Sequence, residues 1–345
     1  MMESKLRILK NETKTENVTI VKSIPSNYVE VKLLSNGRIK NIPEVLHFRD
    51  FTASEAVELT NCDDDDKELK VCEVLTNMNY EHFDCLNLTK NDVLGILYFL
   101  IGTFVNTTLV KSIYIDETLP MGDDVGQLNN VCNIEDVNVP INKINLRYLG
   151  LDKKDKLIEP EIKVPFTICD EYTNTKYTFK YPTMKDNVVA LNFIKNKFKT
   201  RIDKLSSFTN ELIKLNNVKN DVDKENKLQE LLQNRFDEAL EYQALQKEIE
   251  NTTVEIIQAL QLVKVNDVEI TNDNYLEYYE LLPQSVWKKY IEICDNYTFG
   301  IDNEVNVYSV ALNKRVKRSF QFEFVDFISL FNESKNVGRF SVDFS

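Results

Sequence analysis

Apolar and polar positions change their spacing along this chain, and the changes mark its elements. Over 28–33 (Tyr-Val-Glu-Val-Lys-Leu) they alternate, the period of a half-buried strand. Ser35-Asn36-Gly37-Arg38 then predicts a turn, because Asn-Gly takes positive φ at little cost. A second strand is predicted through Val45, Leu46, His47 and Phe48. Thr52 and Glu55 have the spacing of a capping box, in which hydroxyl and carboxylate each satisfy an orphan N–H at a helix start. Helices follow over about 67–78 and from Leu88-Thr89-Lys90-Asn91-Asp92 to Phe104. The second carries Leu94, Leu97, Leu100 and Ile101 and is apolar around most of its surface, so it is predicted to be buried.

Residues 109–115 look like a strand, whereas 118–139 hold no clear period and read as loop. Strands are predicted at 161–168 and 177–181 around the hairpin loop Asp170-Glu171-Tyr172-Thr173-Asn174. Pro182 opens the next helix, where its missing N–H costs little. From 187 to about 263 the chain is nearly all helical in pattern. Leu228, Leu232, Phe236, Leu240, Leu245 and Ile249 recur mostly four apart, which gives one buried face. No heptad is sustained, so a helical hairpin breaking near 216–223 is predicted over a parallel coiled coil.

The two ends of the chain share a plan. Leu88 to Asp92 opens a helix closing at Gly102-Thr103-Phe104, and Leu282-Pro283 opens one closing at Thr298-Phe299-Gly300; strand-like residues follow each. The predicted fold class is therefore α+β, with two related helix-plus-β-hairpin units joined by a long helical insertion. In order these are an N-terminal arm (1–27), an α+β unit (28–186), the insertion (187–270), a C-terminal unit (271–331) and a docking tail (332–345).

Composition narrows the function. The chain has 345 residues, 8 Gly, 8 Pro and a formal net charge of -13, which argues for long regular elements and against non-specific nucleic-acid binding. The longest apolar run, 93–105, is too short to span a bilayer, so no membrane partner is expected. Six Cys are scattered without paired spacing, with only His47 and His82 to join them, so no metal is predicted and the thiols read as reduced and cytoplasmic. Asp63-Asp64-Asp65-Asp66 lacks the spacing and the Gly of a calcium loop and reads as a solvated helix lead-in. The eight Gly are scattered and form no phosphate loop, and Cys85 beside His82 has no orienting partner. The basic cluster Lys314-Arg315-Val316-Lys317-Arg318 is better matched to a partner's acidic surface, or to water, than to nucleic acid. No catalytic residue and no cofactor is predicted.

The order of motifs resembles the baseplate hub and tail-assembly proteins of contractile-tailed (T-even type) bacteriophages. The resemblance rests on Leu33-Leu34-Ser35-Asn36-Gly37, Leu46 through Thr52, Leu88 to Asp92, Pro182-Thr183-Met184-Lys185-Asp186, and Gly300-Ile301-Asp302 followed by an aromatic end at Phe331. It covers about 28–331, in short motifs. The family pattern has Cys-x-x-Cys knuckles between hairpin strands; here that turn is Tyr308-Ser309-Val310-Ala311-Leu312, and the insertion is longer than the pattern requires. The resemblance implies a non-enzymatic structural component of a tail baseplate, at the hub or near it, in multiple copies per virion and in the host cytoplasm during assembly. Its partners would be other tail and baseplate proteins. The alternative in that setting is a hub assembly chaperone that leaves the particle.

Partner contact is expected at the aromatic end, through Phe324, Phe327, Phe331, Phe340, Val342 and Phe344, the last three alternating as a strand does. The competing expectation is that the tail caps its own hairpin. Deleting residues 337–345 should leave the chain folded, by circular dichroism, but abolish incorporation into tails. An unfolded product would assign the tail to its own core, and normal assembly would make it idle.

Overall fold

The computed structural model describes residues 24–62, 66–105, 108–118, 130–140, 145–152, 154–158, 160–216, 221–271, 274–302, 304–309, 314–319, 323, 324, 327 and 328. The fold is α+β, with helices set among small antiparallel sheets. Strands β1 (Tyr28–Lys32) and β2 (Val45–Arg49) pair antiparallel, Val31 opposite Leu46. Asn36 and Gly37 both take positive φ, 54° and 65°, in the turn their sequence predicts. Helix α1 (Ala53–Thr60) starts on the Thr52–Glu55 capping box, both halves of which are present. Arg49 holds the same Glu55 through both carboxylate oxygens, at 2.7 and 2.9 Å. Helices α2 (Lys67–Met78) and α3 (Lys90–Phe104) complete the first layer.

These elements share one core with residues from far along the chain. Val71, Leu75 and Met78 of α2 meet Val93, Leu97 and Ile101 of α3, Met184, Tyr297, Phe324 and Phe327. Gly95 lets α3 lie close to the β1 side: a Cβ there would fall 2.8 Å from Leu34 Cδ1.

Strands β3 (Thr108–Thr118) and β4 (Asn130–Pro140) form a long antiparallel ribbon, Ile113 opposite Glu135. Sequence pattern finds β3 but misreads most of β4 as loop. Asn and Asp interrupt the apolar positions of β4, and only pairing along the whole of β3 makes it a strand. After β5 (Asn145–Arg147) come β6 (Phe166–Cys169) and β7 (Lys176–Phe179).

The helical stretch departs from the predicted hairpin. It holds three helices, α4 (Met184–Asn216), α5 (Asp221–Asn234) and α6 (Phe236–Gln261), with a second break at Arg235. It also ends earlier than 270: β8 (Leu262–Val265) and β9 (Val268–Glu269) continue the sheet in the order β6-β7-β8-β9. Asn266 and Asp267 between them take positive φ, 48° and 67°, a two-residue turn suited to a hairpin. The three helices are thus spliced between β7 and β8, which are neighbours in one sheet.

Short α7 (Tyr275–Glu280) leads to α8 (Gln284–Asn296), which packs on that sheet through Val286 and Tyr290 against Ile168, Phe179 and Leu262. Strand β10 (Gly300–Asp302) then pairs with β5, Ile301 opposite Leu146, before β11 (Glu304–Ser309) and β12 (Lys314–Ser319) make the second ribbon. The order helix then ribbon therefore occurs twice, after α3 and after α8, and β5–β10 pairing joins the two. Leu97 is 1% exposed in the main core. Leu97→Asp should lower unfolding free energy by about 3–5 kcal/mol in urea titration, as an unpaired buried charge does; an unchanged midpoint would place that side chain outside the core.

Candidate functional site

A cleft of about 260 Å³ lies where the first turns of α3 and α4 meet the end of α8. Each wall follows from local sequence. Thr89 caps α3, its Oγ1 accepting from Asp92 N at 3.1 Å and donating to Asp92 Oδ2 at 2.8 Å. The other oxygen of Asp92 accepts from Ser35 N at 2.7 Å, across 57 residues. Burial raises the Asp92 carboxyl above its ordinary range, against the opposing effect of the hydrogen bonds from Ser35 and Thr89.

The Thr183–Asp186 pair repeats the device on α4. Thr183 N and Oγ1 donate to Asp186 Oδ2 at 2.8 and 2.9 Å, and Lys180 Nζ holds both oxygens of Asp186. Met184 N donates to Leu88 O at 2.8 Å, which sets the two helix starts side by side. The third wall is fixed by Asn91 Nδ2 donating to Phe299 O at 2.8 Å and Tyr181 Oη donating to Tyr297 O at 3.3 Å.

The polar heads here are already engaged within the chain. Lys90 Nζ lies 3.0 Å from Glu68 Oε1, and Asn187 Nδ2 donates to Glu68 Oε2 at 3.1 Å. Cys294 lines the cleft, and burial pushes its thiol up, so it keeps its proton and is a poor nucleophile. The cleft thus lies where the ends of three helices are bonded together. Cys85, close to His82 in the sequence, is buried, and its thiol is pushed up to about 12, chiefly by desolvation. His47 is held by Glu81, Nδ1 at 2.6 Å from Oε1, while Glu81 Oε2 accepts from His47 N at 3.1 Å. Among the described residues, no three His, Cys, Asp or Glu side chains are grouped to hold a metal ion, and no helix is long and apolar enough to cross a membrane.

Phe324 and Phe327 require a correction. They are 4% and 0% exposed and belong to the main core. A side chain covered by its own chain cannot dock a neighbour, so these two hold the fold together. Phe331, Phe340, Val342 and Phe344 lie outside the described residues, as do Asp63 to Asp65. Among the described residues, β3 and β4 pair only with each other, and so do β11 and β12, the strand that carries Lys314, Arg315, Lys317 and Arg318. Sequence reasoning passed over the cleft, although three segments built on the same Thr-x-x-acid spacing were visible: Thr52 with Glu55, Thr89 with Asp92, and Thr183 with Asp186.

No family model, curated protein or solved structure matches this chain.

The raised pKa of Asp92 fixes the sign of a pH effect. Where the unfolded chain has already lost its proton, the folded protein still holds one, so ionising Asp92 weakens the fold. That loss sets in as pH rises above the ordinary carboxylate range and is complete above the raised folded value. Asp92→Asn removes it and keeps an acceptor for Ser35 N. Denaturant titrations should show wild-type stability, measured relative to D92N, falling as pH rises through that window. A difference constant with pH would mean that Asp92 titrates as an exposed carboxylate does.

Proposed function

We propose that this chain is a structural component of a bacteriophage tail baseplate, at the hub or close to it, acting through protein–protein contacts in tail assembly. The observation that carries the proposal is the pair of ribbons, β3–β4 with eleven residues in each strand and β11–β12 with six. A two-stranded ribbon is marginal in water on its own. Among the described residues neither ribbon pairs with a further strand, so its outer edges are a template for one. A neighbouring subunit that adds a strand satisfies both conditions at once. The ribbons are rooted together, because β5, which follows β4, pairs with β10, which precedes β11. A neighbour that reaches one is therefore close to the other.

Two further features support the reading. The order of sequence motifs resembles tail-assembly proteins, and net charge opposes nucleic acid as the partner. The partners are other tail and baseplate proteins, and the working location is the particle, reached from the host cytoplasm.

Quantitative mass spectrometry of purified tails from the phage encoding this chain tests the proposal. The expected result is a fixed copy number per particle, in register with the tail symmetry. A chain needed for tail formation but missing from finished particles would instead be an assembly chaperone. Tails that form normally without it would overturn both readings.

A further inference from the structure

The cleft at the ends of α3, α4 and α8 suits an apolar guest. Thr89, Asn91, Tyr181, Thr183, Asn187 and Thr298 in its walls are each hydrogen-bonded within the chain, Thr298 accepting from Arg147 at 2.7 Å. A polar guest would give up water for few new partners, whereas an apolar one gains by leaving water. Tyr181 and Phe299 meet edge to face, 5.4 Å between ring centres, and a third ring extends such a cluster. Cys294 stands in the wall beside them.

The path of the chain decides what covers it. Phe324 lies under Lys90 Nζ, 5.5 Å from ring centre to nitrogen, and Lys90 lines the cleft. Phe327 and Ile328 are 0% and 3% exposed, in the core that also holds Tyr297 and Met184. The chain thus leaves its core next to the cleft. Phe331 comes three residues after Ile328, within about 11 Å of extended backbone.

A guest on so short a tether has an effective concentration on the order of millimolar or more, so it reaches the cleft ahead of a free partner or a second copy. We propose that the occupant is Phe331 of the same chain, its ring seated against Tyr181, Tyr297 and Phe299 and covering Cys294. The seat withholds from neighbours an aromatic side chain they would otherwise meet. The proposal concerns the isolated chain and stands independently of the tail assignment.

Cys294 reports on the seat. Full-length protein is treated with a maleimide at mildly alkaline pH, and attachment to Cys294 is timed by mass spectrometry of the digested chain. Phe331→Ala should speed that labelling by about tenfold, as loss of one buried aromatic contact does, with the circular dichroism spectrum unchanged. The wild-type rate should be the same at every protein concentration, because guest and cleft belong to one chain. If F331A loses structure, Phe331→Gln gives the same readout from a side chain that stays in solvent. Equal rates in the wild type and a folded variant overturn the proposal. So does wild-type labelling that accelerates on dilution, which would assign the cleft to a second copy.

Discussion

The Asp92 carboxylate, shut away from water at the start of α3, fastens that helix to a segment 57 residues earlier in the chain. It binds the turn after β1 through Ser35 N and its own helix cap through Thr89. Its neighbours extend the reach: Leu88 O receives the first N–H of α4, and Asn91 holds the carbonyl that precedes β10. Segments from the beginning, middle and end of the sequence are thus registered at one helix terminus. Burying a carboxylate opposes stability, and the surrounding donors only partly offset that. What the arrangement contributes is a unique position for α3, which apolar packing around most of its surface does not specify by itself.

A second constraint closes the other half of the chain. The four-stranded sheet joins β7 to β8 across the whole helical arm, so it forms only when both ends of the arm are in place. Tyr290 of α8 seals that junction. Its ring stacks on Phe179 at 4.6 Å and on Trp287 at 4.9 Å, and its hydroxyl donates to the buried Gln261 at the end of α6. Burial holds this phenol in its neutral form, able to donate. One aromatic side chain therefore binds together the sheet, the arm and the last long helix.

What the sequence revealed follows from how local each signal is. The capping box at Thr52, the extent of α2 and the buried character of α3 depend on residues within a few turns, and all were legible. Strand β4 was not, because its Asn and Asp positions become strand only opposite β3. The return at β8–β9 was overlooked beneath a helical pattern that runs directly into it, although Val265-Asn266-Asp267-Val268 carries a turn signal. The burial of Phe324 and Phe327 was beyond local reading, since the core they join includes residues of α2 and α3 more than two hundred positions away. The joint at the α3 and α4 starts was half legible: its Thr and Asp residues stood out, but nothing in their spacing says that the two helix ends meet.

The splicing of the arm between adjacent strands has a mechanical consequence. Helix α4 alone is about 50 Å long at the usual rise per residue, and the arm enters and leaves through neighbouring strands of a single sheet. A displacement of the arm's root would therefore be felt in two places at once: in that sheet with its stacked rings against α8, and at the start of α3, where Met184 N is bonded to Leu88 O.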